Sequence, residues 1–128
     1  MASYHLSAQV ITRGTGRSAV AAAAYRSRSS IEDKKQGLTF DYTRKRDLAH
    51  SEVCLPKGAS EKFGDRNYLW NEVERVEVRK DAQLAREINV ALPKELSLEQ
   101  QINLVEEFIA KEFTSQGMIA DVNIHSPE

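Results

Sequence analysis

Residues 17–28 read RSAVAAAAYRSR, and the reading of this run decides how the rest of the chain is organised. Ala19 and Ala21 to Ala24 are the strongest of helix formers. They predict a helix so thin over its first turns that it can lie closer to its neighbours than a leucine-rich rod could. Tyr25 then emerges at the end of that rod, with Arg17, Arg26 and Arg28 nearby. A tyrosine oxygen aimed at a phosphodiester needs cations close by, because little of a free phenol is ionised at neutral pH. Taken alone, the stretch also suits a plainer role: Tyr25 as an amphipathic core residue with its hydroxyl at the surface.

On the N-terminal side, residues 3–11 (SYHLSAQVI) alternate. Tyr4, Leu6, Ala8 and Val10 point one way and His5, Ser7 and Gln9 the other, as in a strand with one face on a core. Residues 12–16 (TRGTG) form a turn into the helix. On the C-terminal side, Ser29 to Gly37 reads as a polar loop. Residues 38–42 and 51–55 read as the strands of a hairpin with a basic tip, Arg44-Lys45-Arg46.

Pro56 to Gly64 interrupts the pattern. Asp65 is a good N-cap for a helix to about Lys80, with Leu69, Val73 and Val76 on one stripe and Trp70 beside it. Residues 83–92 (QLAREINVAL) read as a strand closed by Pro93. Ser97 and Gln100 have capping-box spacing at the head of a third helix. Its buried stripe is expected to be Ile102, Val105, Phe108, Ile109 and Phe113, with Gly117 at C′. Residues 118–125 are a last strand. This order predicts an α+β fold: one domain over 1–128, a two-layer, mainly antiparallel sheet with packed helices.

Charged residues are 29% of the 128 and the hydrophobic set 41%, a globular balance. The longest apolar run, Ala19 to Ala24, is too short to span a membrane or serve as a secretory leader. A lone cysteine, Cys54, excludes an internal disulfide framework and suits a reducing, cytoplasmic setting. It reads as a small buried hydrophobe in a strand. The net charge of −1 conceals a split: nine Lys/Arg against four Asp/Glu in residues 1–50 (+5), and nine against fifteen in 51–128 (−6). A basic face from the first third of the chain would suit nucleic acid, although a solvated surface has the same composition.

Parity offers a second candidate site. Glu87 and Asn89 share one face of their strand, Asp121, Asn123 and His125 share one face of the last, and His5, Ser7 and Gln9 share one of the first. If those strands are neighbours, one sheet face gathers two carboxylates and two histidines, a set that suits a divalent metal. An ordinary solvated sheet face looks the same. Arg86 is expected to cap a core edge or pair with an acid.

Together the segments YHLSAQVITRGTGRSAVAAAAYRS (4–27), DYTRKRDLAHSEVCLP (41–56), LWNEVERVEVRKDAQLAREINVALPKEL (69–96) and GMIADVNIH (117–125) closely resemble the MobA/MobL (MobQ-type) relaxases of mobilisable and conjugative plasmids. The resemblance covers essentially the whole chain. It implies an HUH-type palm and a cytoplasmic bacterial enzyme that nicks one strand at an origin of transfer. By that likeness Tyr25 is the nucleophile, Glu87 an acid beside the metal cluster, and His125 the first ligand of a divalent ion, Mg²⁺ or Mn²⁺. The implied partners are single-stranded origin DNA, often with an adjacent hairpin, and relaxosome accessory and coupling proteins. Charge and loop position add Arg13, Arg17, Arg26, Arg28, Arg44, Lys45 and Arg46 as phosphate contacts. In the family an NPHxH-like segment follows the first histidine, whereas this sequence ends at Ser126-Pro127-Glu128. The expectation is therefore the N-terminal portion of a longer relaxase, cut inside its histidine motif, binding metal weakly and inactive by itself. An origin-binding module without chemistry and a rolling-circle replication initiator are the alternatives.

Overall fold

A computed structural model describes residues 6–12, 18–77 and 83–126, with 6–12 and Gln83 described by backbone alone. These residues form β1 (Leu6–Thr12), α1 (Ala19–Ser27), β2 (Ser30–Asp33), β3 (Leu38–Asp41), β4 (Leu48–Cys54), α2 (Arg66–Val76), β5 (Gln83–Val90), α3 (Leu98–Glu112) and β6 (Ala120–His125). The strands pair antiparallel as β1–β5, β2–β3 and β4–β6. With three helices packed over them, this is the α+β class that the periodicities predict.

The alanine run does what its small volume allows. Val20, Ala23 and Ala24 on α1 bury against Ile31 of β2, with Phe40, Tyr42 and Trp70 packed around them. On the neighbouring side Ala19 meets Leu84 of β5, flanked by Val73 and the same Trp70. Trp70 thus joins both clusters. Val20 and Ile31 are fully buried, each contributing roughly 1.5–3 kcal/mol by leaving water.

Two carboxylates converge on the first turn of α1. Ser18 is the N-cap and accepts from Ala21 N–H at 3.1 Å. Its hydroxyl donates to the buried Asp33 at 2.9 Å. The Ala19 N–H donates to Glu74 of α2 at 2.8 Å. Negative charge is favourable at this end of a helix, where backbone N–H groups lack intrahelical partners.

The expected hairpin of 38–42 with 51–55 is replaced by two other pairings. Residues 30–33, read from their polarity as loop, form β2 and pair with β3. Ile31 lies opposite Phe40, and this one apolar pair holds the hairpin to α1. Asp33 closes the turn by accepting from Lys35 and Gln36 N–H, both at 3.1 Å, and Gly37 adopts φ +71°. Asp and Gly are suited to that geometry. β4 starts at Leu48 and pairs with β6, so Arg44–Arg46 lie in the β3–β4 connection.

α2 has Asp65 as N-cap and ends at Val76, short of the expected Lys80. α3 carries the full Ser97–Gln100 capping box. Its stripe is only half covered: Ile102, Val105, Ile109 and Phe113 are intermediate, and Phe108 is exposed.

Candidate functional site

The end of α1 is fastened at three points. Arg26 pairs with the Glu87 carboxylate of β5, whose side chain is 9% exposed. The Arg26 carbonyl accepts from the His125 ring Nε2–H at 2.7 Å. Arg28 closes the helix in the left-handed region at φ 51°, its N–H shared between the Ala24 and Tyr25 carbonyls. That conformation costs a non-glycine residue about 1–2 kcal/mol. Its guanidinium grips Asp47 with two bonds, at 2.8 and 3.1 Å, and reaches the Tyr25 carbonyl at 2.6 Å. Hydrogen bonding to Asp47 raises the Arg28 pKa further, and the same bonds hold the Asp47 carboxyl down at about 2. Ser126 N–H donates to the Asp47 carbonyl, tying the end of β6 to the same point.

Tyr25 projects from this fastened end and is 37% exposed. Arg28, Arg26 and Lys45 lie 4.7, 5.1 and 5.5 Å from its ring centre. Tyr42 meets it edge to face at 5.3 Å. Stacked cations and an orthogonal ring favour one ring orientation, and three positive charges lie close to a partly exposed phenol. Arg44, Lys45 and Arg46 are all exposed in the β3–β4 connection.

Of the residues singled out from sequence, Tyr25, Arg26, Arg28, Lys45, Glu87 and His125 are brought together here, and Arg44 and Arg46 flank Lys45 in the sequence. Arg13, Arg17 and His5 lie outside the described residues. Glu87 and His125 do not meet as neighbours on one sheet, since β6 pairs with β4 and β5 with β1. Arg26 joins them instead. Asp121 departs furthest from the shared polar face. Its side chain is 6% exposed and accepts from Arg66 Nε at 2.8 Å and from Trp70 Nε1 at 2.8 Å, anchoring α2. Arg86 is exposed.

Among the described residues, His125 belongs to no group of three or more metal-ligating side chains, and its Nε2 donates to the Arg26 carbonyl. The group that could hold a metal lies elsewhere: His50 and Glu52 on β4 and Glu106 on α3, with ligand atoms within 4.8 Å of one another. His50 Nε2 is 2.7 Å from Glu52. Burial pushes the Glu52 carboxyl up, but hydrogen bonds from His50, Glu106 and Cys54 outweigh it and leave it below its ordinary value. The hydrogen bond and charge of Glu52 raise Glu106. The alternation His50-x-Glu52-x-Cys54 put three ligand types on one strand face and was visible in the sequence. Glu106 was not, because nothing local says that α3 covers β4.

A family model described as MobA/MobL matches residues 17–128, and the chain belongs to that family. Among its relatives, the conjugal transfer protein TraA of Rhizobium radiobacter is 43% identical over 141 residues, covering 98% of this chain and 12% of TraA. The mobilization protein MobL of Acidithiobacillus ferridurans is 46% identical over 127 residues, covering 99% of this chain and 33% of MobL. A solved structure concerned with the molecular basis of vancomycin resistance transfer in Staphylococcus aureus has the same fold, with a TM-score of 0.92 and 43% identity over 98% of this chain and 63% of its own. The chain therefore spans less than two thirds of the relatives it matches.

Proposed function

We propose that this chain is the nucleophile-bearing part of a relaxase that nicks one strand at an origin of transfer during plasmid mobilisation. One observation carries the reading: Tyr25 is an exposed phenol among three cations, on a helix end held by Glu87, His125 and Asp47. The Tyr25 oxygen attacks the scissile phosphorus, the P–O3′ bond breaks, and the phenolic proton is lost. The 5′ phosphate stays on the tyrosine and the 3′ oxygen leaves as a hydroxyl. Rejoining is the reverse, with a 3′ hydroxyl attacking the phosphotyrosine, so the bond energy is kept and no nucleotide is consumed.

Arg28 acts first as a positioning group, because its guanidinium is already committed to Asp47 and to the Tyr25 carbonyl. Arg44, Lys45 and Arg46, with Arg13, Arg17 and the outer part of Arg26, bind phosphates and draw the strand in by charge. Glu87 sets the Arg26 side chain and, when that pair opens, is placed to take a proton. Mg²⁺ or Mn²⁺, if bound, would be held by His125 together with the family's downstream histidines and would supply positive charge where the phosphate is attacked. Origin hairpin binding, accessory and coupling partners and a cytoplasmic setting come with the same reading.

The test is a covalent-adduct assay on a labelled single-stranded origin oligonucleotide with Mg²⁺ or Mn²⁺. It compares this chain, the chain extended through the family's downstream histidines, and Tyr25→Phe in both. The expected result is a protease-sensitive adduct from the extended chain that Tyr25→Phe abolishes without loss of binding. An adduct that survives Tyr25→Phe would exclude this nucleophile. Binding without any adduct would reduce the proposal to origin recognition.

A further inference from the structure

We propose that the groove between α1 and β3 seats bases of the single DNA strand that leads to Tyr25, a base-stacking subsite built into the same helix as the nucleophile. This deepens the reading above and rests on it. The groove is open and has a volume of about 480 Å³. On the α1 side it is lined by the methyl groups of Ala21 and Ala22, with Ser18, Tyr25 and Arg26 beside them. Leu38, Phe40 and Tyr42, at alternating positions along and just past β3, form the opposite wall. Tyr25 stands at one end. From Ser18 to Tyr25 the helix rises about 10 Å, the length of about three stacked bases at ~3.4 Å.

Three features suit a nucleobase better than an apolar peptide. Leu38 is 52% exposed and Tyr25, lining the same groove, is also exposed, so aromatic and aliphatic surface is already presented to solvent. Cations lie near it: Lys34 and Lys35 are exposed in the β2–β3 turn, and the exposed Lys45 is 5.5 Å from the Tyr25 ring centre. A strand lying in the groove would have its phosphates over positive charge and its bases over π-faces, the pattern of single-strand binding without sequence readout. The far end is also rigid. Fully buried Asp33 accepts from Ser18 Oγ and Gln36 Nε2, both at 2.9 Å, fixing the two groove walls to each other.

The test uses the 128-residue chain and short oligo-dT strands that each carry one 2-aminopurine at a different position. Binding is expected to quench the fluorophore through stacking on the groove wall. Leu38→Asp puts a carboxylate on the β3 wall, and Ala21→Phe fills the α1 side. Each is expected to weaken binding about tenfold and to remove the quenching, with the circular dichroism spectrum unchanged. Quenching and affinity that survive both Leu38→Asp and Ala21→Phe overturn the groove while the adduct result stands. Equal competition by duplex DNA, or no binding of oligo-dT, also overturns it. An absent adduct with intact, groove-dependent quenching sinks the nicking reaction and leaves the subsite supported.

Discussion

Replacing Asp121 with alanine should be the most damaging single change outside the Tyr25 end. The carboxylate is 6% exposed and carries Arg66 Nε on both oxygens, at 2.9 and 2.8 Å, the Trp70 indole N–H at 2.8 Å and Asn123 Nδ2 at 3.1 Å. Its loss leaves a largely covered guanidinium without its anion and an indole N–H without an acceptor. Breaking a buried ion pair from one side costs about 3–5 kcal/mol, out of a total of about 5–15 kcal/mol for a domain. With a urea m-value of about 1.5 kcal/mol/M, the midpoint should fall by roughly 2–3 M. Trp70 is the sole tryptophan, so its emission follows the transition and reports directly on the group that loses its acceptor. Asp121→Asn keeps one acceptor oxygen and should cost less. Pairing Asp121→Leu with Arg66→Met removes both charges and should recover most of the loss. A cost for Asp121→Ala below about 1 kcal/mol, or a coupling to Arg66→Ala below about 0.5 kcal/mol, would refute the view that this pair anchors α2.

Other consequences are open to simpler measurements. The Arg28 guanidinium holds the Asp47 carboxyl at about 2, below the ordinary 3.8. The folded state therefore takes up this proton less readily than the unfolded one, so the stability from this pair is complete above about pH 4 and fades as the pH drops towards 2. The melting temperature of the native chain should accordingly fall more steeply across that window than that of Asp47→Asn; parallel curves would exclude the clamp. Burial, then the charge and hydrogen bond of Glu52, push the Cys54 thiol up to about 12. Its alkylation at pH 8 should be roughly a thousandfold slower than in the urea-unfolded chain, and comparable rates would contradict that environment. For single-stranded DNA, Arg44→Ala and Arg46→Ala should each flatten the log K against log salt slope by about 0.7 if each arginine meets one phosphate. An unchanged slope would remove these residues from the interface.

Where the periodic signal was long, the sequence could be read directly. The strand of residues 118–125 buries Val122 and Ile124 as its alternation requires, and both later helices begin at the caps that Asp65 and Ser97 announce. The errors lie where local chemistry is silent about partners. β2 is four residues with one decisive apolar side chain, Ile31, and a strand that short resembles a polar loop until α1 is placed against it. The polar faces of β5 and β6 were legible as polar. What fills them was not, because parity says which way Asp121 points and nothing about Arg66, 55 residues away, folding over it. The same blindness hid Glu106 beside His50 and Glu52.

The placement of Tyr25 follows from that long-range wiring more than from the helix that carries it. An alanine rod supplies close packing but no directional contacts, so nothing intrinsic to residues 19–24 would hold its last turn in register with β5 and β6. The fastening comes from the two residues flanking the bare stretch's far end. Arg26 spends its side chain on Glu87 and its carbonyl on His125, while Arg28 tolerates a left-handed backbone and binds Asp47. A glycine at position 28 would relieve that backbone, yet it would remove the guanidinium that lies over the Tyr25 ring and the link to the β3–β4 connection. The cation therefore does two jobs that glycine cannot combine. Basic residues next to the tyrosine, which from sequence alone looked like a phosphate-binding patch, are in part the scaffold that holds the end of α1, whereas Arg44–Arg46 are exposed.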